Sequence, residues 1–210
     1  NKHADGLTMV PVVTQGSVQN PKLVSNGEVN LGITNNNLAV FANKGAAMYK
    51  KNGKMNLRAL GALHFSALHM MTTANSKIKT ISDLKGKRIA CGPAGGGTIP
   101  MMKQVLALHG LTMKDIKPTF LSYSDGFKQL ADGNVDAAFA LSGYPAGAAT
   151  QVIVTTKLKH IKMGKGKIKE ALAKYPNYNL VKIPTSAYKT MQAGKVLGVN
   201  NMLVVDSSMS

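Results

Sequence analysis

Apolar runs of strand length alternate with helix-like segments along this chain. Residues 9–14 (MVPVVT) read as a strand, with Pro11 placing it at an edge or a strand start. A helix over residues 18–26 follows, with Ser17 as its N-cap and Gly27 as its stop. Residues 29–34 form a second strand, closed by three asparagines, and residues 38–50 a helix. Two further strands are expected over residues 57–63 and 68–73. From Ser82 the same grammar repeats: strand 88–92, a glycine-rich turn, helix 99–109, strand 119–122, helix 125–131 and strand 135–141. Gly143, Tyr144 and Pro145 then open another helix, with Pro145 near its first position. Alternation of this kind gives parallel strands flanked by helices, an α/β fold.

Composition narrows the class. The chain has 210 residues, 44% hydrophobic and 17% charged, which is globular composition with enough apolar residues to bury a core. No apolar run reaches the 18 or so residues of a membrane span. The single cysteine, Cys91, excludes an internal disulfide framework and a CxxC site, and its apolar strand marks it as inert packing. The net charge of +17 raises the question of nucleic acid, but only Arg58 and Arg88 among the 26 basic residues are arginine. The densest lysine run, residues 157–169, contains no aromatic residue to stack on bases. It reads as a solvated face that favours acidic ligands on approach. A basic polyanion-binding protein is the alternative from a different class; sequence-specific nucleic-acid binding is not expected.

Four polar turns occupy the same place, between the carboxyl end of a strand and the start of a helix. They are Gly16 with Ser17, Asn35 with Asn36 and Asn37, Gly95 with Gly97 and Thr98, and Gly143 with Tyr144 and Pro145. Ligands of open α/β sheets bind outside such strand ends, where free N–H groups favour anions. The glycine turn is not a phosphate loop, because Ile99 follows Thr98 where a lysine is required, and Pro100 breaks the dinucleotide fingerprint. Catalytic constellations are poor: the five histidines are scattered, Glu28 and Glu170 are the two glutamates, and Asp132 and Asp136 read as turn residues. No catalytic residue, metal site or cofactor is expected.

The ordered set of turns resembles the TAXI (TRAP-associated extracytoplasmic immunogenic) solute receptors of TRAP transporters. The resemblance is carried by QGSVQN at 15–20, GEVNLG at 27–32, LRAL at 57–60, ISDLKGKR at 81–88, GP at 92–93, GGGT at 95–98, DG and VDA at 132–137, GYP at 143–145 and IP at 183–184. It covers essentially the whole chain. It implies a type II periplasmic-binding-protein-like fold: two parallel-sheet lobes joined by crossing strands, with ligand closed between them. The expected division is 1–72 plus 182–210 against 73–181, with crossings near residues 68–73 and 181–184 and no single sheet through both Ile33 and Ile89. It further implies an extracytoplasmic or periplasmic monomer that delivers its ligand to the membrane subunits of a TRAP transporter. The chain is expected to be an internal piece of a longer receptor.

Where many members carry Gln-Ser-Asp, this chain has Asn35, Asn36 and Asn37; a frequent Tyr-Pro-Glu is His64, Phe65 and Ser66, which adds Ser66 to the candidate site. Two carboxylates are thereby missing from pocket positions. A buried ligand ammonium needs an acceptor partner, so a carboxylate without an amine, a dicarboxylate or 2-oxo acid, is the expected ligand. A glutamate-like amino acid stays as the alternative, because asparagine oxygens accept from an amine.

Overall fold

A computed structural model describes residues 6, 8–188, 191 and 194–209. Among the described residues, eight strands and six α-helices follow one another: α1 Asn20–Ser25, β1 Gly32–Asn35, α2 Asn36–Lys44, β2 Leu57–Thr73, β3 Arg88–Ala90, α3 Thr98–Leu108, β4 Lys117–Thr119, α4 Tyr123–Ala131, β5 Ala137–Ser142, α5 Gly147–Ile153, β6 Leu158–His160, α6 Lys167–Lys174, β7 Asn179–Ile183 and β8 Gly194–Asp206. The strands form one mixed sheet in the order β1-β8-β2-β5-β3-β4, with β6 on β2 and β7 on β8. The α/β class expected from the alternation is present.

The expectation of two separate parallel sheets is corrected. Among the strands of the sheet, β3 pairs parallel with β4 and β5, while β1, β2, β6, β7 and β8 pair antiparallel. Ile33 pairs with Leu203 of β8, β8 with β2, Leu68 of β2 with Leu141 of β5, and Ala137 of β5 with Ile89, so one sheet runs through both isoleucines. The cause is the length of the crossing strands. β2 has 17 residues and β8 has 13, and each hydrogen-bonds to the other before reaching its own side. The two strands expected at 57–63 and 68–73 are one, because Phe65, Ser66 and Ala67 pair with Asn200, Val199 and Gly198 in the gap between them. Likewise β7 at 179–183 stays beside the start of β8, and β8 itself makes the return to β1.

The middle of the sheet is buried on both faces. Along β5, Ala137, Phe139 and Leu141 point into one core, with Met101, Met102, Val105 and Leu106 of α3 and Ala171 of α6. Ala138 and Ala140 point into the other, with Phe127 and Leu130 of α4 and Ala149 of α5. This period of two is what a strand imposes. Gly126 lets α4 approach β3: a Cβ there would stand 3.0 Å from Ala90 Cβ. A smaller cluster, Val24, Ala42, Tyr49, Met55 and Leu57, lies under α1 and α2.

Three other element expectations change. Residues 9–14 belong to no strand; Pro11 lacks the N–H for a ladder, and Val13 is 99% exposed. They form one wall of a groove of about 580 Å³ against Asn30, Leu31, Ile33 and Leu203. Helix α2 stops at Lys44, six residues early, because Gly45 turns left-handed at φ 58°, where a Cβ would be 2.7 Å from the Gly53 carbonyl carbon. Pro145 lies outside α5, which begins at Gly147, and follows a cis peptide bond from Tyr144.

Candidate ligand-binding site

The chain after β1 enters α2 at Asn35, and the chain after β3 enters α3 at Gly97; these two N-cap positions touch. A Cβ built on Gly97 would collide with Asn35 Oδ1. Neither helix start receives a side-chain cap hydrogen bond. The two helix starts, contributed by distant parts of the sequence, therefore lie side by side with no side chain capping their first backbone N–H groups.

The turn at Gly16 and Ser17 closes over the same glycines. Val18 N–H donates to Gly95 O at 2.9 Å, a Cβ on Gly16 would lie 3.4 Å from Gly96 Cα, and one on Gly95 would lie 2.6 Å from Gln15 Cβ. The glycines are thus required by close backbone approach, at Gly95 and Gly97 most of all. Thr34 Oγ1 holds the turn by donating to Ser17 O at 2.7 Å. Ser17 is not the expected N-cap: Gln19 fills that position, and the first helical hydrogen bonds run from Gln19 and Asn20 N–H to Gly16 O.

Behind Asn35 runs a buried amide chain. Asn35 Nδ2 donates to Asn201 Oδ1 at 2.7 Å, and Asn201 Nδ2 donates to Ser66 Oγ at 2.8 Å and to His64 O at 3.1 Å. Asn36 Nδ2 donates to Asn177 O at 3.3 Å, and nearby Tyr178 OH donates to Gln104 of α3. The asparagine turn thus ties β8 to the segment before β7. The structure brings Gly16, Ser17, Asn35, Asn36, Asn37, Ser66, Gly95 and Gly97 together along this seam.

Thr98 is placed differently. Its side chain is fully buried, and its hydroxyl shares a 2.6 Å hydrogen bond with Tyr123 OH, which also reaches Leu141 O at 3.3 Å. It braces the glycine loop against α4 and β5 instead of facing Ser17 across the seam. The fourth turn also faces elsewhere. Gly143 O accepts from His69 Nε2 at 3.1 Å, Tyr144 is 43% exposed, and Ala146 N–H donates to Tyr188 OH at 2.6 Å. With its proton on Nε2, His69 presents Nδ1 to Tyr188 OH at 3.4 Å. Burial holds this imidazole neutral down to about pH 4. Gly143 meets the seam only at its rim, where a Cβ would lie 3.9 Å from His64 Cδ2.

Asn201, Tyr178, Gln104 and Gln15 are seam residues that sequence reasoning missed. Asn200 and Asn201 interrupt an otherwise apolar strand, and that polar pair is the signal that could have found them. Other expectations have plain structural outcomes. Cys91 is buried with its thiol pushed up to about 11 by burial, and Asp136 holds the Arg88 guanidinium at 2.8 Å and its N–H at 2.8 Å, tying β3 to β5. Among the described residues, no group of three His, Cys, Asp or Glu side chains could hold a metal ion, and no helix is long and apolar enough to cross a membrane.

Comparison with known proteins gives the lineage. The profile of the NMT1-like family matches residues 1–210. A protein of Escherichia coli strain K12, named as an aliphatic sulfonates-binding protein, is 34% identical over 82 residues, 39% of this chain and 25% of its own length. The crystal structure of the periplasmic aliphatic sulphonate binding protein of Escherichia coli superposes with a TM-score of 0.51 at 19% identity, over 88% of this chain and 50% of that one. The alkanesulfonate-binding protein of Xanthomonas axonopodis pv. citri, bound to MOPS, gives 0.51 at 25% identity, over 74% and 50%. The chain spans about half the length of these structures. The TAXI resemblance is therefore matched at the level of the solute-binding fold, and the family named by the match is a different one. The chain belongs to the NMT1-like family and has the fold of the periplasmic solute-binding proteins.

Proposed function

We propose that this chain is the solute-capturing part of an extracytoplasmic receptor, not an enzyme, and that it closes on a small organic acid between the starts of α2 and α3. The observation that carries the reading is the meeting of two uncapped helix N-termini at Asn35 and Gly97. An acid oxygen is the natural partner of free helix-start N–H groups, and the +17 charge favours its approach. The seam residues Gly16, Ser17, Asn35, Asn36, Asn37, Ser66, Gly95, Gly97 and Asn201 carry no titratable side chain, and burial keeps the Tyr178 phenol beside them protonated, which suits binding and offers no general base. Carboxylates and sulfonates match the same donors. The sequence resemblance supports the first and the names of the relatives the second, so the proposal takes small organic acids as the class.

Two lobes, 1–72 plus 182–210 and 73–181, would part and close by flexing of β2 and β8, since the seam is shut by direct contact and ligand entry requires it to open. The partner is the membrane assembly of a transporter. Thermal unfolding in the presence of glutarate, 2-oxoglutarate and ethanesulfonate tests the class. A ligand at 100 times its Kd stabilises by about 2.7 kcal/mol, so at least one acid raises Tm by several degrees. If none does while heparin does, the polyanion alternative replaces this reading.

A further inference from the structure

We infer that the groove between residues 8–14 and β1 is the seat of one further β-strand, supplied by polypeptide of the same protein outside these 210 residues. Among the described residues β1 ends the sheet, with β8 as its one partner. Its other edge faces the groove of about 580 Å³, whose opposite wall is residues 8–14. The groove shares no lining residue with the ligand seam.

The dimensions suit a single strand. A strand rises about 3.3 Å per residue, lies about 4.8 Å from its neighbour and about 10 Å from the next layer. Laid along the four residues of β1, it takes about 600 Å³. The edge also offers backbone groups. Asn35 and Asn201 stand directly opposite and are joined through their side chains, the close kind of antiparallel pair that exchanges no backbone hydrogen bond. Asn35, and Ile33 two residues before it, therefore turn their backbone groups away from β8. On that side Asn20 Nδ2, which also lines the groove, donates to Ile33 O at 2.6 Å. The Ile33 N–H lies on the same edge.

The side chains point to the same occupant. Met9, Val10 and Val12 on one wall are 58%, 79% and 60% exposed, and Ile33 on the other is 48% exposed. A contiguous apolar surface left this bare marks a contact. A small apolar ligand would cover the side chains and leave the strand edge unpaired. A second copy would bring its own +17 charge against this one. A strand of the same protein meets both needs, its ladder made to β1 because Pro11 limits pairing on the other wall. There is chain to supply it in proteins of this fold: the sulfonate-binding structures match over 50% of their length, and the other half has no counterpart here.

The test is hydrogen exchange, resolved by residue, on two proteins: the 210-residue chain and the full-length product of its gene. In the longer protein the Ile33 amide exchanges at least about tenfold more slowly. Val12→Lys puts a charge on the groove wall. It leaves the Tm of the 210-residue chain within about 1 °C and lowers that of the longer protein by several degrees. Equal exchange at Ile33 in the two proteins, or an equal response to Val12→Lys, overturns the inference. A gene product that consists of these 210 residues alone overturns it as well. Protection of Ile33 in the 210-residue chain that rises with its concentration gives the groove to a second copy, which also overturns it. Acid binding at the seam is a separate readout, and its failure would remove the receptor reading while leaving this seat in place.

Discussion

The two helix starts that meet at the seam stand on unequal foundations. Helix α3 is driven into the larger core, where Met101, Met102, Val105 and Leu106 are buried against β5 and the strands beside it. Helix α2 rests on a cluster of five buried side chains, Val24, Ala42, Tyr49, Met55 and Leu57, and on the edge formed by β1 and β8. The first half of β2, residues 58–65, is exposed along its length, whereas from Ser66 to Thr72 it is buried. The glycine side of the site is therefore rigid and the asparagine side is the part that gives. A receptor that must open has its low-stability element where the apolar contacts are fewest.

That contrast can be broken by mutation. Phe127→Ala empties a fully buried position in the core under α4 and should cost about 3–5 kcal/mol of global stability. Tyr49→Ala, at an equally buried position of the small cluster, should instead free α1 and α2. Hydrogen exchange after Tyr49→Ala should then accelerate across residues 18–44 and leave α3 and β5 protected. Uniform acceleration through both regions would show that they unfold together and would remove the contrast.

The junction between the regions should be acid-sensitive. Burial lowers His69 from its ordinary 6.5 to about 4, so the unfolded chain binds this proton more readily than the folded one. Its contribution is complete above pH 6.5 and is lost as pH falls from 6.5 to 4, about 3 kcal/mol in total. Burial lowers His160 too, which acts in the same direction. Urea unfolding of wild type and His69→Gln across that window should show a shallower pH slope in the variant. Equal slopes would place the acid sensitivity elsewhere.

The smallest effects separate the two hydroxyls of the site. Thr98→Val removes the bond to Tyr123 that braces the glycine loop and should cost about 1 kcal/mol. Ser17→Ala loses no side-chain cap, since Gln19 occupies that position, and should stay within about 0.5 kcal/mol. Denaturant midpoints of the two variants decide it, and a larger loss for Ser17→Ala would return Ser17 to the capping role.

The rigid side was the legible side. Helices α3 and α4 and strands β3 and β5 follow the sequence reading within a few residues, because their apolar spacing agrees with the faces the core buries. The crossing strands were not legible: Ala59, Gly61, Ala62 and His64 give β2 no alternation to read, and its pairing with β8 spans well over a hundred residues. Residues 9–14 carry β-branched side chains and still form no strand, since pairing rather than propensity decides. At the site, the order of the turns was readable from glycine and asparagine punctuation. The inward turn of the Thr98 hydroxyl was not, because its partner Tyr123 comes from a different helix. Asn201 was marked only by the polar pair it forms with Asn200 in an apolar strand.

Closure on an acid between Asn35 and Gly97 is tested most directly by calorimetric titration of wild type and Gly97→Val with the tightest-binding acid of the panel. Gly97 has φ −69°, which any residue adopts, so the substitution alters space alone. Its side chain would stand where Asn35 Oδ1 lies and would hold the seam apart. The account predicts 1:1 binding by wild type and a loss of at least about tenfold in Gly97→Val, with α3 and β5 still protected from exchange. Unchanged affinity in a folded Gly97→Val would contradict it.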